Sequence, residues 1–487
     1  MLRVASILAV IFLGTLAGCR SIPPASVADD RSGAGATHTT PISAARKTQL
    51  GVRSVTYVPD AEGTDESEAQ SDSPEVLSSA SSASRAAAPL TLTDLEGIAI
   101  QNNPTMAAAA ARIEAARGRQ LQAGLYPNPI VGYHATEIRN LGTAGQQGGF
   151  ISQRFITGGK RQLDQAIAGK DIDEEHFRFH AQEQRVLSDV RVRFYAALAA
   201  QQRLELTQEL ARLGDNLVEA TETLLAGRLG TENDLLQAQI KADEAHILYD
   251  NARNQTVESG RRLAAAIGIP TMQMTPLAGE LAGELSTIAW EECYRMVLGC
   301  NPELNAANTR MERASIAIQR ARREPLPNVD LAVSVRHHNV TQSDVANVQV
   351  GVPIPIFNRN QGNIRSAEAA WMAAKNEVKR IELDLHDRLA VAYRRYANAA
   401  QQADRYSQRM VPRAKKSLEL VTSGYARGQV KYLTLLTAQE TYLQVSLAHL
   451  DSLRELRASF AVIEGQLLSG SLTQSPKQRP YTSDVPL

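Results

Sequence analysis

The sequence predicts a mainly α-helical protein with a small β part, built from two copies of one unit. Three observations carry that prediction. The stretch AGRLGTENDLLQAQ, Ala226 to Gln239, returns 200 residues later as ARGQVKYLTLLTAQ, Ala426 to Gln439; in both, a leucine pair is followed at the same distance by Ala-Gln. Ahead of each copy runs a helical pattern of about sixty residues. Each half also holds two short segments in which apolar and polar residues alternate, the period of a strand.

Composition agrees. Aromatics make up 5% of the 487 residues, and the high Ala, Leu, Gln, Glu and Arg content suits long helices rather than the mixed core of an enzyme. With 52 basic and 52 acidic side chains there is no positive surplus, which argues against a nucleic-acid partner.

In chain order, residues 1–18 read as an export signal: Arg3, an apolar run from Val4 to Leu16, then small residues. Leu16-Ala17-Gly18-Cys19 resembles the lipobox of bacterial lipoproteins. That resemblance implies cleavage before Cys19 and its acylation by chains such as palmitate. Arg20 after the cysteine, in place of aspartate, suits sorting to the outer membrane in the lipoproteins it resembles. Several acyl chains anchor a protein stably where one does not. Residues 19–89, rich in Ser, Ala, Thr, Asp and Pro, read as a lipid-anchored low-complexity arm.

The first repeat spans 90–270. Thr93 and Glu96 have capping-box spacing and open a helix, Asn103-Pro104 breaks it, and a second helix runs to about Gly124. Tyr126-Pro127-Asn128-Pro129 stops that helix. Two extended segments follow, about Ile130 to Arg139 and Gly149 to Thr157, joined by a linker from Gly142 to Gly148. From about Lys160 to Leu225 there is no proline, and Leu206, Leu210, Leu213, Leu217, Ala220 and Leu224 step by four and three. At 1.5 Å per residue such a rod is on the order of 100 Å long. A sharp turn then sends a helix back over about Glu232 to Ile267.

The second repeat spans 286–469. Its helix from Thr287 breaks at Asn301-Pro302, and Arg310 with Glu312 matches Arg112 with Glu114. Val329, Leu331, Val333 and Val335 alternate with Asp330, Ala332, Ser334 and Arg336; Val348, Val350, Val352, Ile354 and Ile356 alternate with Asn347, Gln349, Gly351, Pro353 and Pro355. A long helix from about Asn363 to Tyr425 is expected to kink or join at Pro412, and a return helix covers about Tyr432 to Leu468. The offset between halves is 198 at the broken helices and 200 at the turns, as a single two-residue insertion near the strands would give. Residues 470–487 form a polar tail. Cys293 and Cys300, seven apart on one helix and so roughly 10 Å from each other, are out of disulfide reach and read as small core residues.

Strict alternation over about ten residues is what a membrane-spanning barrel strand requires. A half-buried soluble hairpin gives the same pattern, and the exported, lipidated context favours the barrel. Four strands cannot close a barrel with a lumen, and open edges are not tolerated in lipid. Three chains supply twelve strands, an even number within the range of outer-membrane barrels, and gather twelve long helices into a cylinder below.

The order of helix, broken helix, strand pair, long helix, turn with LL-x-A-Q and returning helix resembles the TolC family of outer-membrane efflux proteins over about Leu90 to Ser469. ARIEAARGRQLQAGLYPNPIVGY, Ala111 to Tyr133, and RFITGGKRQ, Arg154 to Gln162, look like the branch serving heavy-metal pumps of the cobalt-zinc-cadmium and copper-silver type. The resemblance implies a trimeric passive conduit: a 12-stranded β-barrel in the outer membrane over a periplasmic α-barrel of antiparallel coiled coils. It also implies a periplasmic adaptor and an inner-membrane pump of the RND type as partners. The adaptor-docking tip maps to Gly227, Arg228, Leu229, Gly230 and Thr231 and to Arg427, Gly428, Gln429 and Val430. The first turn carries its glycine one place early. Where relatives place acidic residues at a constriction, this chain has Thr434 and Thr437, with Asp234 after the first turn.

Other readings stay open. A lipid-anchored coiled-coil scaffold explains the helices and the tether but not the strands; within the channel class, the cargo is heavy-metal cations, drugs or proteins. No cofactor, resident metal or catalytic constellation is expected. His176 and His180, four apart, have metal-compatible spacing but read as surface histidines. His337 and His338 are adjacent on a strand and point apart. Gly158-Gly159-Lys160-Arg161 reads as a strand-to-helix turn rather than a phosphate loop.

Overall fold

The computed structural model describes residues 89–138, 144–228, 230–272, 276–283 and 288–473. The export signal, Cys19, the arm up to residue 88, Leu229 and residues 474–487 lie outside the described residues.

The first repeat opens with α1, Leu92–Asn102, and α2, Pro104–Ala123. The capping box lies two residues before the expected one: Thr91 and Asp94 bond each other's backbone, and Thr93 is already inside the helix. Strands β1, Ile130–Ile138, and β2, Ala144–Phe155, follow. The Gly/Gln stretch expected as a linker is largely β2 itself, because glycines pair readily where a neighbouring strand lies close: a Cβ on Gly148 would run into the Val335 carbonyl. Then come α3, Lys160–Ala226, at 67 residues about 100 Å long, and α4, Glu232–Ile267.

The second repeat holds α5, Trp290–Cys300, α6, Pro302–Arg323, and strands β3, Val329–His338, and β4, Ser343–Gly351. β4 stops well before the expected Ile356, because Pro353 and Pro355 lack the N–H a ladder requires. The long rod is split into α7, Gln361–Arg405, a π-helical turn at Tyr406–Met410, and α8, Val411–Ala426, with Pro412 in the first turn of α8. This is the join expected at Pro412. The return helix α9, Tyr432–Glu464, ends four residues earlier than expected; Gln466 and Leu467 take left-handed backbone angles beyond it.

The repeats differ by more than one insertion. The left-handed residues that precede α3 and α7, Gly159 and Asn360, are 201 apart, whereas the helix ends Ala226 and Ala426 are 200 apart. The strand region therefore gains three residues relative to the broken helices, and the second rod loses one.

Both helix breaks perform the same structural task. Asn103 caps α2 through Thr105 N and donates to the Ala266 carbonyl at the end of α4. Asn301 caps α6 through Glu303 N and Leu304 N and donates to the Gln466 carbonyl just past α9. Each asparagine thus ties the start of its repeat to the end of the same repeat.

The main core joins both repeats and includes Leu95, Val186, Val190, Leu263, Ile267, Leu385, Leu389 and Ile463, all essentially fully buried. Cys293 belongs to it, while Cys300 is exposed, against expectation: α5 buries only one face. Between α3 and α6 runs a ladder of ion pairs, Asp164–Arg320, Lys170–Glu312, Asp171–Arg313, Glu174–Arg310 and Arg185–Glu303. Further down α3 the tightest seam is made by Thr207, Ala211, Gly214, Leu217 and Thr221; of the expected stripe Leu217 alone is buried. Small residues let α4 approach; a Cβ on Gly214 would lie 3.1 Å from Ala242 Cα.

Candidate functional site: a two-faced sheet and two helical turns

The four strands form one antiparallel sheet in the order β1-β2-β3-β4, with the β2–β3 pairing joining the repeats and β1 and β4 left as edges. Register sorts the side chains onto two faces. One carries Val131, Tyr133, Ile151, Phe155, Val329, Leu331, Val333, Val335, Val348 and Val350. The other is mainly polar and carries Ser152, Arg154, Asp330, Ser334, Arg336, Asn347 and Gln349, with Ile130, Phe150 and Val345 among them and His134 and His338 towards the outer end. The apolar face is open to its surroundings, Val131 at 75% and Val348 at 69%. From Val329 to Val335 at about 3.3 Å per residue it spans roughly 20 Å, bounded by Phe155 at one end and Tyr133 at the other, as at the aromatic girdles of membrane barrels. His337 lies just past that band and bonds Asp344 at 2.9 Å. Among the described residues no helix is long and apolar enough to cross a membrane.

Where sheet meets helix, Gly158 and Gly159 take left-handed angles that only glycine adopts without strain, and Lys160 is buried against Asn328 Oδ1 at 3.0 Å. Burial holds its ammonium below the usual lysine range. The Gly-Gly-Lys-Arg run is thus the expected strand-to-helix turn.

The two repeated turns share one cleft of about 1050 Å³, lined from the first by Gly230 and Asp234 and from the second by Arg427, Gly428, Val430 and Lys431. They therefore stand at the same end of the molecule. At the second turn, Gly428 is left-handed and donates to the Tyr425 carbonyl, and Gln429 N donates to Gly424 O: a Schellman cap. At the first, the left-handed position falls on Arg228, not on Gly227. The glycine is indeed one place early, and an arginine carries the strain. Gly227, Arg228, Thr231, Arg427, Gly428 and Gln429 are exposed; Gly230 and Val430 are half-buried.

The Asp234 carboxylate is engaged locally, accepting from Thr231 N at 3.2 Å and Thr231 Oγ1 at 2.7 Å to cap α4. Thr434 and Thr437 are exposed on the first turns of α9, and the Thr437 hydroxyl bonds back to Leu433 O. Of the repeated Leu-Leu-x-Ala-Gln motif, the alanines are the shared buried element, Ala238 and Ala438; Leu435 is buried while Leu236 is 53% exposed. Two features escaped the sequence: Tyr432, buried under the cleft beside Tyr425 with its phenol pushed up by burial, and a lysine that bridges the two return helices. Neither pairing is visible in sequence spacing.

His180 turns its Nδ1 to Glu183 at 3.2 Å. Among the described residues no cluster of three or more His, Cys, Asp or Glu side chains could hold a metal.

A sheet with one apolar and one polar face, set on helices about 100 Å long that end in paired turns, defines a subunit of a membrane-spanning conduit. Residues 96–269 and 293–464 match the outer membrane efflux protein family, and the chain belongs to that family. The cobalt-zinc-cadmium resistance protein CzcC of Cupriavidus metallidurans is 25% identical over 384 residues, covering 78% of this chain and 90% of that protein. The nickel and cobalt resistance protein CnrC of the same organism is 26% identical over 294 residues, 58% of this chain and 67% of that protein. Among solved structures, the outer membrane protein VceC of Vibrio cholerae superposes with a TM-score of 0.63 at 19% identity, covering 78% of this chain and 96% of that one. The chain is an efflux channel component of the outer membrane, as its family defines.

Proposed function

We propose that three copies of this chain form the passive outer-membrane conduit of a tripartite efflux system that exports heavy-metal cations. The observation that carries the reading is that the chain has matching open flanks. β1 and β4 are unpaired edges. In the helical part α4 packs on α3 and α7–α8 on α9, leaving α4 and α7–α8 on the two flanks. Both flanks bear exposed apolar residues: Leu236, Ile240, Ile247 and Val257 on α4, and Met372, Leu383 and Leu420 on α7 and α8. Unlike surfaces that meet head to tail close into a ring, and in lipid an unpaired strand edge costs several kcal/mol for each unsatisfied group, by about the estimate for polar burial. Three copies bring the sheet to twelve strands, with the polar face lining the lumen.

In this reading the paired turns form the periplasmic mouth. Gly227, Arg228, Leu229, Gly230, Thr231, Arg427, Gly428, Gln429 and Val430 meet the adaptor, and Asp234, Thr434 and Thr437 stand closest to the narrowing. An RND-type pump in the inner membrane supplies energy and selects the cargo. Cys19 carries the acyl anchor in outer-membrane lipid. The two metal-resistance relatives support metal cations as cargo over drugs or proteins.

The test has two parts. Purified protein should run as a heat-modifiable trimer and conduct in planar bilayers, whereas a coiled-coil scaffold gives no conductance. A deletion strain should become sensitive to zinc, cobalt, copper or silver. Unchanged metal tolerance together with drug hypersensitivity sinks the metal cargo.

A further inference from the structure

The polar face of the sheet is not electrically balanced along its length. Its fixed charges in each chain are Arg154, Asp330 and Arg336. Arg154 Nε lies 2.8 Å from Asp330 Oδ1, so that pair cancels at the helix-side end. Arg336, six residues further along β3, has no carboxylate within ion-pair distance among the described residues, and its buried Nε makes no hydrogen bond. Its register partners are Gly148 on β2 and Val345 on β4, neither of which can neutralise it, and beyond Gly148 stands His134 on β1. Neither carboxylate of the outer end pairs with Arg336 among the described residues. Asp344 pairs with His337 on the apolar face, and Glu137, at the end of β1, accepts from Gln146 at 3.3 Å.

We propose that Arg336 sets an uncompensated positive ring in the outer section of the lumen and biases that section towards small inorganic anions. The proposal rests on the three-copy barrel, which brings three such guanidiniums around one pore. Low-dielectric walls lined by charge of one sign focus the field and enrich the opposite ion. A cation leaving through this section passes a repulsive collar, and the same collar opposes its return. Net direction therefore comes from the pump, and the ring sets which mobile ion fills the outer mouth.

The experiment is a reversal-potential measurement on the full-length protein in planar bilayers, with about 10 mM KCl against about 100 mM, where the screening length is still on the order of 10 to 30 Å. Arg336→Gln should shift the chloride-to-potassium permeability ratio towards potassium by on the order of twofold to threefold. Asp330→Asn, which frees Arg154, should shift it the other way, and Arg336→Lys should leave it near wild type. All shifts should fade near 1 M salt, where screening falls to about 3 Å. Conducting Arg336→Gln trimers with wild-type selectivity, or an Asp330→Asn channel that does not move towards chloride, overturn the proposal. Failure of the wild type to conduct at all defeats the barrel reading instead, and this inference with it.

Discussion

Lys241 Nζ lies 2.8 Å from Glu440 Oε1 and 2.8 Å from Glu244 Oε2, so one ammonium joins the return helix of the first repeat to that of the second. Hydrogen bonds to the two carboxylates, Glu244 first, hold it above the usual lysine range. The bridge sits just past the buried Ala238 and Ala438, one short step from the cleft between the turns.

A partly exposed pair of this kind contributes about 0.2–1 kcal/mol to stability, so its value lies in restraint rather than in folding. Lys241→Glu replaces attraction by repulsion between α4 and α9. The expected outcome is a channel that still forms trimers and melts within a few degrees of wild type, by the usual scaling of about 1 kcal/mol to a few degrees, but conducts more. Equal conductance in Lys241→Glu and wild type would show that the bridge does not restrain the mouth.

The two turns differ at their left-handed position. At Gly428 an added Cβ meets nothing within 4 Å, so Gly428→Ala is disfavoured by backbone conformation alone, at about 1 kcal/mol. Arg228 already bears that strain, and Arg228→Gly should relieve it by up to about 1 kcal/mol, less the extra chain entropy of glycine. Urea or thermal unfolding of the two variants should therefore move in opposite directions.

For docking, Arg427→Glu or a bulky residue at Gly428 should impair efflux while trimers still assemble. Variants that assemble and restore full resistance to a deletion strain would remove these residues from the docking surface.

Asn103→Ala and Asn301→Ala each remove a helix cap and leave a carbonyl, the buried Ala266 O or the half-buried Gln466 O, without that donor. Each should cost about 1–3 kcal/mol, read as a lowered melting temperature, and the effects should be similar because the two sites are structural counterparts.

Stability should also respond to acid through His449. Burial pushes this imidazole below the usual histidine range, and its ring faces Tyr406 of the π-helical turn. Because the unfolded chain takes up that proton first, the contribution is complete above the ordinary histidine value of about 6.5 and is lost as pH falls towards the folded value. His246 works in the opposite sense: its hydrogen bond to Asp215 raises it, so its contribution is present at low pH and lost as pH rises through the folded value. His449→Leu should flatten the fall in melting temperature between neutral and mildly acidic pH. An unchanged fall would mean that other groups carry the acid response.

The duplication, the helix breaks at Asn103 and Asn301, the long rods and the alternating strands were legible in the sequence because each is a local pattern: a repeat, a proline, a period. Local patterns also misled where a neighbour decided the outcome. Gly145 to Gly148 looks like a loop and is strand, with the β3 backbone close enough to Gly148 to require glycine at that position. The leucines of α3 look like the seam, yet of that stripe Leu217 alone is buried, beside the small residues that let α4 approach. Only the tertiary structure could place both turns on one cleft, join Lys241 to Glu440, pair Arg154 with Asp330 and leave Arg336 without an ion-pair partner among the described residues. These are relationships between residues far apart in the chain, and side-chain spacing along a single segment carries no information about them.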